Sequence, residues 1–165
     1  MKTRISILVA VVAALASGVL SAQENEHGWV KYEGNPVFGG PETGTMFDAQ
    51  VTTHVNMYVS WRPEKAIALT HSDDGINWSE PVVVLRNDET SGWEDDINRT
   101  CTIFWNGQYH MWYTGQARNY SRIGYAVSDD GVNFRRVTKM PVLIPERPHE
   151  GYSVMNPYVI RDEER

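Results

Sequence analysis

The chain of 165 residues holds one cysteine, Cys101, so no disulfide can form within it. Basic residues are scarce: 15 Lys and Arg face 21 Asp and Glu, and the net charge of −6 argues against nucleic acid or an anionic membrane as partner. Charged residues make up only 22% and hydrophobic residues 41%, which excludes a disordered, self-repelling chain. Paired metal-ligand spacing is missing as well. His54, His71, His110 and His149 form nothing like HExxH, so neither a catalytic metal nor a cofactor is expected. One long apolar run exists, Ile5 to Leu20, and it is short for a membrane span and broken by Ser17 and Gly18. It follows the basic Lys2 and Arg4 and precedes the small Ser21 and Ala22, the layout of a secretory signal. Residues 1–22 are therefore expected to be cleaved, with residues 23–165 secreted or periplasmic. No Cys follows the run to carry a lipid anchor.

What the chain does have is a phrase written twice. HSDDGINW at residues 71–78 returns as VSDDGVNF at 127–134, and the match spreads from Ile67–Trp78 to Ile123–Phe134, a shift of 56 residues. Upstream, Met57–Trp61 lies over Met111–Gly115; downstream, Pro81–Leu85 is answered by Pro141–Ile144 after a small insertion. A unit of about 55 residues is thus repeated. Within it the period is two: Tyr109, Met111 and Tyr113 alternate with His110 and Trp112, as in a strand buried on both faces. Asn106-Gly107, Asp74-Gly75 and Asp130-Gly131 are turn signals between such strands. In each phrase Asp is expected to cap the turn, Gly to take positive φ and the aromatic ring to pack beneath, so the phrase reads as scaffold. Cys101, in the apolar TCTIF, reads as a buried packing residue.

Sheets of this kind bury both faces by stacking radially, which predicts an all-β fold of β-propeller type. The chain holds two to three units, and Met155–Arg165 restarts the pattern. It therefore reads as the N-terminal part of a longer protein; the competing reading is a complete small β domain with open edges.

Three stretches, Phe47–Val51, Trp93–Arg99 and Glu150–Pro157, together with GQYHMWYTG and SRIGYAVSDDGVNF, resemble the five-bladed β-propeller glycoside hydrolases of the family 43, 32 and 130 neighbourhood. The resemblance covers nearly all of the chain after residue 22. It implies an oligosaccharide or polysaccharide substrate in a central funnel and a set of carboxylates that cleaves the glycosidic bond. By resemblance, Asp48 is the general base or nucleophile and Asp96 the second-blade acid that tunes the pair, with the adjacent Asp95 competing for that role because strand alternation turns only one inward. Glu150 is the candidate proton donor, although Asn156 occupies the position opposite Asp48 and Arg99 where the family carries an acid. Trp61, Arg62, Glu94, Asp95, Arg99 and Gln116 are candidate sugar contacts. Phosphorolysis, with Arg62 and Arg99 binding phosphate, and a sugar-binding propeller without catalysis are the alternatives.

Overall fold

The computed structural model describes residue 28, residues 30–52 and residues 55–162. The expected signal sequence and His54 lie outside them. Two compact units divide the chain at Asn35 and Pro36. In the first, the described residues form a turn in which Asn35 donates to the carbonyl of Tyr32 through its backbone N–H and its Nδ2.

The second unit is built from strands. Met46–Val51 (β1), Asn56–Trp61 (β2), Ala66–His71 (β3) and Val82–Arg86 (β4) form one antiparallel sheet in chain order. Asp96–Trp105 (β5), Gln108–Ala117 (β6), Tyr120–Ser128 (β7) and Arg135–Arg136 (β8) form a second one of the same order. Each sheet is one copy of the repeated unit, and the fold is all-β.

The alternation of the second strands builds the layers. Tyr58 on β2 packs with Ile67, Val84 and Leu85 against Ile97, Met111, Tyr113 and Ala126 of the second sheet and Trp93 of the loop before it, and this is the main core. Met57, Val59 and Ala68 point the other way and pack with Phe38, Met46, Trp61 and Trp78. On the far face of the second sheet, Trp112 stacks on Tyr125 at 5.0 Å between ring centres, and the Tyr125 hydroxyl meets His110 Nδ1 at 2.6 Å.

Turn chemistry fixes the register. Asn106 and Gly107 take φ of 50° and 76° in the tight β5–β6 hairpin, the primed geometry that matches strand twist. In each copied phrase one carboxylate caps the turn. Asp74 Oδ1 accepts the N–H of Ile76 and Asn77 at 2.8 and 2.7 Å, and Asp130 Oδ1 accepts those of Val132 and Asn133 at 2.9 and 2.8 Å. Gly75 and Gly131 supply the positive φ. The outermost strand of the second sheet departs from the aligned Pro141–Ile144. The insertion ahead of Pro141 splits it, so β7 pairs first with Arg135–Arg136 and then, through Ile123, with Leu143.

Candidate functional site

The first strands of the two sheets, β1 and β5, are each interrupted by a β-bulge at the same place in the repeat. Pairing with β2 slips between Phe47 and Gln50, and pairing with β6 slips between Asn98 and Cys101. Asp48 and Arg99 sit at these slips with φ of 52°, and Asn156 takes 58° at the matching place in the following extended segment. Left-handed backbone costs a residue with a Cβ about 1–2 kcal/mol, so three such residues in register need compensation from their surroundings. A bulge re-aims the side chain of its extra residue. Here all three border one cavity of about 280 Å³, together with Gln50, Cys101 and Tyr158. Arg99 Nε lies 3.3 Å from Asp48 Oδ2, and Asp48 is the one carboxyl lining this cavity among the described residues. Arg99 Nη1 also reaches Met155 Sδ at 3.9 Å.

Met155 borders a second cavity, of about 500 Å³, whose walls include Asp95, Asp96, Gln116, Ser121 and Ser153. Alternation does not separate the two aspartates: β5 begins only at Asp96, so Asp95 still belongs to the loop, and both line the same space. Gln116 is fixed on both sides. Its Oε1 accepts from Asn98 Nδ2 at 2.6 Å and its Nε2 donates to Ser121 Oγ at 3.2 Å.

Four expected site residues lie elsewhere. The Glu94 carboxylate is fully buried and accepts from Arg136 Nε at 3.0 Å and from the Tyr113 hydroxyl at 3.3 Å. Trp93 stacks on Tyr113 and carries its neighbour into the core, where no sugar can reach. Burial pushes the Glu94 carboxyl up, and the Arg136 guanidinium opposes the rise. Glu150 ends a short 3-10 helix, Pro148–Glu150, and turns its carboxylate onto the N–H groups of Glu146 and Arg147 at 2.6 and 3.0 Å. It caps its own loop and borders neither cavity. The Trp61 indole donates to Thr43 O at 2.7 Å and packs with the outer cluster of the first sheet. Arg62 lies over the Phe47 ring at 4.8 Å, exposed at the β2–β3 turn.

Sequence reading missed the residues that join the sheets. Gln50 Oε1 accepts the Thr102 N–H at 2.6 Å and its Nε2 donates to Thr102 O at 3.1 Å. One unit later, Cys101 Sγ accepts the Val159 N–H at 3.3 Å. The signal was there in the repeat: Gln50 and Cys101 stand the same two residues after Asp48 and Arg99. Among the described residues no three His, Cys, Asp or Glu side chains gather as a metal ion would need.

No family model matches the chain. It is 31% identical over 84 residues to a β-1,2-mannobiose phosphorylase of Thermoanaerobacter, an alignment covering 42% of this chain and 28% of that one. To a 1,2-β-oligomannan phosphorylase of the same organism it is 32% identical over 91 residues, covering 50% and 30%. A crystal structure of a glycosyl hydrolase from Bacteroides ovatus aligns with a TM-score of 0.44 at 18% identity, over 55% of this chain and 30% of that one. The chain thus spans less than a third of the length of the curated relatives it matches.

Proposed function

We propose that the chain is part of a carbohydrate-active enzyme that splits a glycosidic bond between mannose-type sugars by phosphorolysis. The observation that carries this reading is the pairing of one carboxylate, Asp48, with one guanidinium, Arg99, in the cavity where β1 and β5 bulge. Hydrolysis needs two carboxyls across the bond, one to protonate the leaving oxygen and one to activate water or attack. Phosphorolysis needs one, because phosphate brings its own nucleophilic oxygen. A phosphate oxygen attacks the anomeric carbon, the bond to the departing sugar breaks, and a carboxyl supplies that sugar's oxygen with a proton that phosphate restores. A planar guanidinium is the side chain suited to the phosphate. The two phosphorylases among the relatives support the reading.

In this account the two sheets are successive blades of a five-bladed propeller. Asp48 is assigned to acid–base work, Arg99 to phosphate, and Asp95, Asp96 and Gln116 to sugar hydroxyls in the adjoining cavity. Export by way of residues 1–22 would bring the enzyme to its oligosaccharide outside the cytoplasm. Hydrolysis is the second reading, favoured by the Asp95–Asp96 pair one cavity away from Asp48. Product analysis of the full-length protein on β-1,2-mannobiose separates the two: release of a sugar 1-phosphate is expected, and free mannose alone would favour hydrolysis. Asp48→Asn is expected to slow turnover by about 10²–10⁴-fold, the usual contribution of a positioned acid or base.

A further inference from the structure

Three residues lining the first cavity, Asp48, Arg99 and Asn156, hold a backbone conformation that their own side chains do not favour, and two of them, Arg99 and Asn156, are held in it by a hydroxyl from another strand. A bulge leaves its extra residue without a ladder partner, so the N–H of Arg99 needs an acceptor from elsewhere. It finds Ser60 Oγ at 2.8 Å, a hydroxyl on β2 of the preceding sheet, 1% exposed. One unit later the arrangement recurs: the Asn156 N–H meets Thr114 Oγ1 at 3.1 Å, on β6 of the sheet before it, 0% exposed. Ser60 and Thr114 stand at matched places in Met57–Trp61 and Met111–Gly115, and both are hydroxyl residues amid otherwise apolar positions. Two independent copies of one contact, between corresponding atoms, mark a designed feature of the repeat.

We infer that Ser60 and Thr114 are positioning residues, each fixing from its sheet the left-handed residue of the unit that follows, and so aiming Arg99 and Asn156 into the cavity. The inference rests on the phosphorolytic reading of that cavity. Ser60 touches no substrate; it acts through the Arg99 backbone, which sets the angle at which the guanidinium meets Asp48 Oδ2. The stability of the sheets does not depend on it in the way the apolar core residues do, because only one N–H changes partner.

The test uses the full-length protein with Ser60→Ala, Thr114→Val and the conservative Thr114→Ser. Two readouts are taken: residue-resolved amide hydrogen exchange at Arg99 and Asn156, and steady-state kinetics on β-1,2-mannobiose with inorganic phosphate varied. Ser60→Ala is expected to speed exchange at Arg99 about tenfold, the worth of one hydrogen bond, and to raise KM for phosphate more than it lowers kcat. Thr114→Val, which keeps shape and loses the hydroxyl, is expected to do the same to exchange at Asn156, and Thr114→Ser to restore it. Unchanged exchange at Arg99 in Ser60→Ala, or unchanged KM with accelerated exchange, overturns the inference. A wild-type protein that turns over no sugar with phosphate present overturns the functional reading itself, and that outcome is visible before any variant is made.

Discussion

Glu94 and Arg136 form an ion pair whose carboxylate is fully buried. Arg136 Nη2 and Nε clamp the buried carboxylate, and Nη2 also donates to the Arg86 carbonyl, so one side chain ties β8 to the loop before β5 and to β4 of the other sheet. Breaking such a pair leaves a buried charge unmatched, which costs about 3–5 kcal/mol. Arg136→Met is expected to lose that much by urea unfolding at pH 7, and Glu94→Gln added to it is expected to recover part. The pH dependence gives the sign. In Arg136→Met the carboxyl's folded value lies above its unfolded one, because burial raises it and the guanidinium that opposed the rise is gone. The deficit should therefore be absent below the unfolded value of about 4 and grow as pH rises from there through the raised value. Glu94 was a candidate sugar contact because it lies in the stretch Trp93–Arg99 that carries the resemblance; the stacking of Trp93 on Tyr113, beside which Glu94 is buried, is a contact between residues distant in the sequence. Asp48 was singled out by resemblance, and the repeat set Arg99 and Asn156 at positions equivalent to it.

At the scale of the element, the two capped turns were the clearest part of the sequence and the bulges the least. A turn needs Asp, Gly and an aromatic ring within eight residues, and all are written there. A bulge is a slip between two strands, and residues such as Asp48 and Arg99 give no glycine signal for positive φ. The turns make two predictions. Gly75→Ala is expected to cost about 1–2 kcal/mol from its φ of 74° alone, because a Cβ there meets nothing within 4 Å. Gly131→Ala should cost more, because its Cβ would also come within 3.1 Å of Tyr58 Oη and of the Tyr109 ring. The backbone N–H groups of Asn77 and Asn133 hold the Asp74 and Asp130 carboxyls far below the usual range. Folded values below unfolded ones mean stability that is present above about pH 4 and lost as pH falls through the lowered values. Replacing both by Asn should flatten the acid limb of a pH–stability profile.

Across the whole repeat, the junctions are periodic. Gln50 grips Thr102 as Cys101 grips Val159, and Ser60 holds Arg99 as Thr114 holds Asn156. Contacts that advance by one unit along the chain and one sheet in space make the assembly of sheets a matter of local rules. The repeat length foretold the two sheets. It did not foretell which atoms join them, since each junction pairs a side chain, Gln50 or Cys101, with the backbone of a distant residue, Thr102 or Val159. Gln50→Leu is expected to destabilise by about 1–3 kcal/mol in chemical unfolding, because it strips the Thr102 N–H of its acceptor. Cys101, read as a buried packing residue, is buried and also serves as an acceptor at the cavity wall.

The proposed phosphate seat at Arg99, beside Asp48, is tested most directly by a phosphate titration of turnover. Full-length protein is assayed on β-1,2-mannobiose from zero to saturating phosphate, beside Arg99→Lys, which keeps the charge and loses the planar fork. Saturable, phosphate-dependent turnover whose KM for phosphate rises at least about tenfold in Arg99→Lys is the predicted result. Equal turnover with and without phosphate, or a KM for phosphate unmoved by the substitution, would contradict it.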